Sequence, residues 1–266
     1  MNDNVLVAFA LTAFAGLSTG IGSAIALFAK RTNRAFLAAS LGFSAGVMIY
    51  VSFVELFPIA NDFLVRSHGP STGAWIAVAA FFGGMVLSAL IDFVVPSYEN
   101  PHEAGLVEEM GGHTDLKHLE RVGVLTALAI GIHNFPEGLA TFFAALPSLS
   151  SGIPVAVAIA LHNIPEGISV SVPMFYATGS RKKAFVYSFL SGLSEPVGAI
   201  VGYVILRPFI SDALMGIVFA AVAGIMVFIS LDQLIPNAKK YGEGHPSVYG
   251  LIAGMAIMAI SLLVLE

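Results

Sequence analysis

The 266-residue chain has no cysteine, and Lys, Arg, Asp and Glu together make up only 11% of it. Without cysteine there is neither a disulfide framework nor a thiolate metal ligand. So little charge, beside 57% hydrophobic residues and a mean hydropathy of +0.86, excludes an ordinary soluble domain, where about a quarter of residues are charged. The composition is that of an all-α polytopic membrane protein. A basic amino-terminal region and a small-residue cleavage pattern are also missing, so the first apolar run is expected to be a retained helix rather than a signal peptide. The run His-Glu-x-x-His is absent as well, which weighs against an intramembrane metalloenzyme of the protease type.

Spans of about 20 apolar residues divide the chain into eight expected transmembrane helices at 5–29, 35–60, 72–95, 120–146, 151–176, 182–206, 212–236 and 246–265. Between the third and fourth lies a polar loop, 96–119, in which His102, His113 and His118 are scattered among acids. Net charge is -5, but placement says more than the sum. Ten of the twelve Lys and Arg fall on one side of the eight-span path and only Arg66 and Arg207 on the other. The positive-inside rule then puts both termini outside and the 96–119 loop in the cytoplasm.

One phrase occurs twice: His133-Asn134-Phe135-Pro136-Glu137-Gly138 in the fourth span and His162-Asn163-Ile164-Pro165-Glu166-Gly167 in the fifth. Residues i, i+1 and i+4 share a helix face, so each copy projects an imidazole, an amide and a carboxylate together. Pro136 and Pro165 each remove a backbone donor, and a kink with a freed carbonyl is expected at Ile132 and Leu161. Glu195 adds a third mid-span acid. Three carboxylates without a cation repel one another, and a divalent ion removes that conflict. The nitrogen and oxygen donors suit zinc, iron(II), manganese, cobalt or cadmium rather than copper(I). A single buried histidine is more simply a hydrogen-bonded core residue; the duplication in adjacent spans favours ligands. Glu55, Asp92 and Asp232 lie nearer span ends, where they mark a path or reach interfacial water.

A second repetition lies outside the doubled motif. Residues 45–58 and 223–236 are identical at six of fourteen positions, and 16–22 resembles 192–198. Helices five apart in a serpentine run in opposite directions, so 5–95 and 181–265 read as inverted repeats flanking 120–176, a 3+2+3 arrangement within one transporter domain, 1–266. A proton-coupled carrier of an organic solute shares buried carboxylates and inverted repeats, but has less reason to align two imidazoles with three glutamates.

The doubled motif, the eight spans and Ser-Gly-Leu-Ser-Glu-Pro in the sixth span resemble the ZIP family of metal transporters, and within it the bacterial ZupT-like branch. The resemblance implies a non-enzymatic importer of divalent metals through a binuclear midplane site in the cell (inner) membrane. Carried over by position, His133, Glu137, His162 and Glu166 form the principal site with Met48 as a soft contact. Asn134, Asn163 and Glu195 form the second, sharing Glu137 and Glu166. It also implies an elevator motion of spans one, four, five and six against two, three, seven and eight. Two departures stand out: the loop lacks a dense His-x repeat, and Glu166 stands where many eukaryotic relatives have histidine, which points to broad divalent specificity. No prosthetic group is expected, zinc and similar ions being substrate. Partners are those ions and the lipid bilayer, with a homodimer left open and no nucleic acid.

Overall fold

The computed structural model describes residues 3–28, 34–94, 116–147, 149–241 and 245–265. Among them the chain forms α1 (Asp3–Phe28), α2 (Arg34–Val51), α3 (Phe57–His68), α4 (Pro70–Val94), α5 (Leu116–Ala145), α6 (Leu149–Thr178), α7 (Arg181–Gly192), α8 (Ser194–Leu206), α9 (Asp212–Ile229), α10 (Ile235–Tyr241) and α11 (Pro246–Leu265). Several run on into one another, giving eight rods and no strand among the described residues. Seven rods are long and apolar enough to cross a bilayer; the eighth is α5, 30 residues long and bearing the first motif. Side chains such as Trp75 and Phe93, 74% and 86% exposed, are the outward apolar surface that a bilayer covers. The protein is an all-α polytopic membrane protein.

Several expected bounds shift. The second span continues past residue 60 to His68, because a π-helical turn at Ser52–Leu56 joins α2 to α3 without a break. Gly69, at φ 82°, then ends α3, its N–H donating to Val65 O at 2.8 Å. The seventh span likewise runs through a π turn at Ser230–Leu234 into α10. The sixth is interrupted at Leu193, where Pro196 cannot supply the N–H that the Gly192 carbonyl would accept in an unbroken helix. Residues 116–119, expected in the loop, open α5: Leu116 to Val122 contains no Gly or Pro to stop a helix. The rest of that loop, with His102 and His113, lies outside the described residues.

The helices pack as two groups. α1, α5, α6, α7 and α8 contact one another, and α2, α3, α4, α9, α10 and α11 do likewise; the main seam is α2 against α6. Glycines let backbones meet within each group. A Cβ on Gly22 of α1 would fall on the Ile164 carbonyl oxygen, and one on Gly198 of α8 on that of Phe135. Gly167 lies against the Thr19 carbonyl as Gly138 lies against that of Glu195, and Gly16 and Gly192 face each other's oxygens. In the second group Gly46 meets the Leu251 carbonyl and Gly224 that of Phe81. Each contact thus recurs at the position its partner segment occupies in the sequence match. The two π turns also fall at matching places, both starting on a serine of the paired 45–58 and 223–236 segments.

Candidate metal centre

α5 and α6 follow each other closely in sequence and pack side by side, which turns the two motif faces toward each other. Both helices continue through their motif prolines. From α5 comes Glu137 and from α6 His162, whose Nε2 lies 3.2 Å from Glu137 Oε2. Glu166 completes a group in which one ligand atom from each residue lies within 4.8 Å of the others. All three are buried.

The motif amides brace this group. With the Asn134 amide oriented to donate, its nitrogen reaches the Ile130 carbonyl at 2.9 Å and Glu166 Oε2 at 3.2 Å. On the other helix Asn163 Nδ2 donates to the Ala15 carbonyl at 2.9 Å and to Glu195 Oε1. Glu195, in the first turn of α8, is fully buried. Asn163 and Glu195 therefore sit together, tied to α1. Ser44 of α2 donates to the His162 carbonyl at 3.3 Å, which brings the second packing group to the edge of the site. Met48, fully buried, lies one turn after Ser44 on the same helix. His133 is buried one turn before Glu137 on α5 but is not among the three convergent residues.

The electrostatics of the group are those of a cluster of buried acids. Every buried, formally charged side chain among the described residues is a glutamate: Glu137, Glu166 and Glu195. Taking a carboxylate out of water costs several kcal/mol unless it is paired. No lysine or arginine whose side chain is described is buried to pair with them. Three oxygen acceptors, Glu137 Oε1, Asn163 Oδ1 and Glu195 Oε2, are buried without a hydrogen-bond partner among the described residues. Buried acceptors are rarely left so, and oxygen acceptors beside an imidazole are a donor set suited to a divalent ion.

The ZIP Zinc transporter family model matches residues 96–262, the span that contains both motifs and Glu195. The chain belongs to the ZIP zinc transporter family. It is 61% identical over 275 residues to the "Zinc transporter ZupT" of Clostridium perfringens, an alignment covering 98% of this chain and 96% of the relative. It is equally 61% identical to the protein of that name from Nitratidesulfovibrio vulgaris, with 98% of each covered. The corresponding protein of Streptococcus mutans is 59% identical, with 99% of each covered. These ZIP relatives are named as transporters, not enzymes.

Sequence reasoning had no means of finding the serines that tie α1, α6 and α7 together beside the ZIP site. Ser23 Oγ meets Ser188 Oγ at 2.5 Å, Ser188 donates to the Gly167 carbonyl at 3.0 Å, and Ser18 donates to that of Ala160 at 2.9 Å. Serine in an apolar helix carries no periodic signal of its own. Glu55 and Asp232 both lie in the π turns, and neither belongs to the convergent group.

Proposed function

We propose that this ZIP chain imports zinc, and with it iron(II), manganese, cobalt or cadmium, into the cytoplasm through a binuclear site at the centre of α5 and α6. The carrying observation is the convergence of Glu137, His162 and Glu166 within 4.8 Å, with no buried cationic side chain beside them among the described residues. The names of the relatives support zinc as substrate. In this reading Glu137, His162, Glu166 and His133, with Met48 alongside, hold the principal ion. Asn134, Asn163 and Glu195 hold the second and share Glu137 and Glu166. The mixed oxygen and nitrogen donors, without thiolate, support broad divalent specificity.

The packing in two groups supports an elevator motion in which α1, α5, α6, α7 and α8 carry the ion past the other six helices. The recurring glycine contacts and paired π turns support the inverted repeats 5–95 and 181–265 within a single domain, 1–266. The weighting of Lys and Arg supports extracytoplasmic termini in the bacterial inner membrane. Uptake into proteoliposomes across a panel of metals, with and without an imposed pH gradient, tests the reading. Uptake of zinc with competition from the other divalent ions is expected; solute flux indifferent to divalent metals would replace it with an organic-solute carrier.

A further inference from the structure

Behind the metal centre, between α4, α5 and the α7–α8 rod, runs a cavity of about 500 Å³. Its lining includes Ala127 and Gly131 of α5, Ile91 of α4 and Leu190 of α7. Among the described residues no charged side chain lines it. We propose that this groove binds the hydrocarbon chain of a membrane lipid, seated across the seam between the two packing groups.

Gly131 is the first argument. A Cβ there would meet nothing nearer than Ser191 Cα at 3.8 Å, whereas one on Gly138, two turns along the same helix, would fall on a carbonyl oxygen. Close helix packing therefore explains Gly138 and leaves Gly131 unexplained; what its missing side chain does is keep the groove open. The second argument is polarity. The two hydroxyls that line the groove are already committed, Ser194 Oγ to the Ser191 carbonyl at 2.6 Å and Ser191 Oγ to that of Ser188 at 2.7 Å. An occupant is therefore offered no hydroxyl donor, and the rest of the lining is apolar side chain and glycine, a surface suited to an apolar occupant.

Continuity decides between occupants. The groove's rim residues Leu128, Ile132 and Leu190 are exposed, so it opens directly onto the lipid-facing surface. A peptide entering at that depth would have to satisfy its own backbone; an acyl chain has no such groups. Position gives the site a consequence. Ile91 belongs to one packing group and the remaining lining to the other, while Pro136 and Ser194 each immediately precede a glutamate of the metal centre. A chain lodged there touches both groups and the back of both acidic positions.

The test is photolabelling of the full-length protein in phosphatidylcholine nanodiscs doped with a phospholipid bearing a mid-chain diazirine, with adducts located by peptide mass spectrometry. Groove residues of α5 and α7 should label several-fold more than the outer face of α11 at Ile252, Ile260 and Leu263. Gly131→Leu, which extends a side chain into the groove, should remove most groove labelling and leave α11 unchanged. The wild-type ratio is decisive by itself if that variant does not fold. Even labelling of α5, α7 and α11 at every probe fraction would overturn the proposal, as would a cross-link from the groove to a second copy of the chain in place of lipid.

Discussion

His162 of α6 approaches Glu137 of α5 across the helix interface, Nε2 to Oε2 at 3.2 Å, and Asn134 of α5 approaches Glu166 of α6 at the same distance in the reverse sense. Each motif thus supplies a nitrogen to the other's carboxylate. Asn134 orients Glu166, and groups that orient a ligand typically contribute about ten- to a hundredfold to metal affinity or activity. Asn134→Ala is expected to weaken zinc binding within that range without unfolding the protein, measured as Kd by calorimetry in detergent. An unchanged Kd would remove Asn134 from the site.

Glu195 separates the two proposed metal positions. Glu195→Gln removes a charge while nearly keeping its shape, and its partner Asn163 still has an acceptor in the glutamine. The variant is expected to bind fewer ions and to lose manganese uptake more than zinc uptake, because manganese depends more on oxygen donors. Stoichiometry and competitive uptake on one preparation check this; no change in either would make Glu195 a packing carboxyl.

His133→Ala is expected to show the opposite preference, losing zinc uptake more than manganese, since it removes nitrogen from the proposed principal site. Competitive uptake reads the ratio directly. Equal losses for both metals would point to a structural role.

The glycine contacts make a stability prediction. Gly138→Ala places a methyl on the Glu195 carbonyl oxygen, and overpacking of this kind costs about 1–3 kcal/mol. Its unfolding midpoint in detergent should drop. Gly131→Ala makes only ordinary contacts, with Ser191 Cα at 3.8 Å and Ser194 Oγ at 4.0 Å, and should hold or gain about 0.5–1 kcal/mol, as alanine replaces glycine inside a helix. Equal midpoints for the two variants would contradict the packing described.

The doubled motif was legible because it is local: the spacing of Glu137 and Glu166 from their histidines and asparagines places those side chains on one helical face whatever surrounds them. The span count was legible for the same reason, from apolar run length. The interruption at Leu193 was less so, since Pro196 advertises a missing donor, but Pro136 and Pro165 do the same and the helical assignment of α5 and α6 is unbroken across them. Which residues meet across helices was not legible. Asn163 with Glu195, and Ser44 with the His162 carbonyl, are set by crossings of helices more than 30 residues apart in sequence. The resemblance between 16–22 and 192–198, weak as a string, gained weight only once Gly16 and Gly192 were seen facing each other.

The central claim is that Glu137, His162 and Glu166 hold the transported ion. It is tested most directly by zinc uptake into proteoliposomes reconstituted at equal protein density with wild type, His162→Ala and Glu166→Ala, each checked for an unaltered elution profile. The account predicts accumulation with wild type and the level of protein-free liposomes with either variant. Near-wild-type uptake by a well-folded His162→Ala or Glu166→Ala would contradict it.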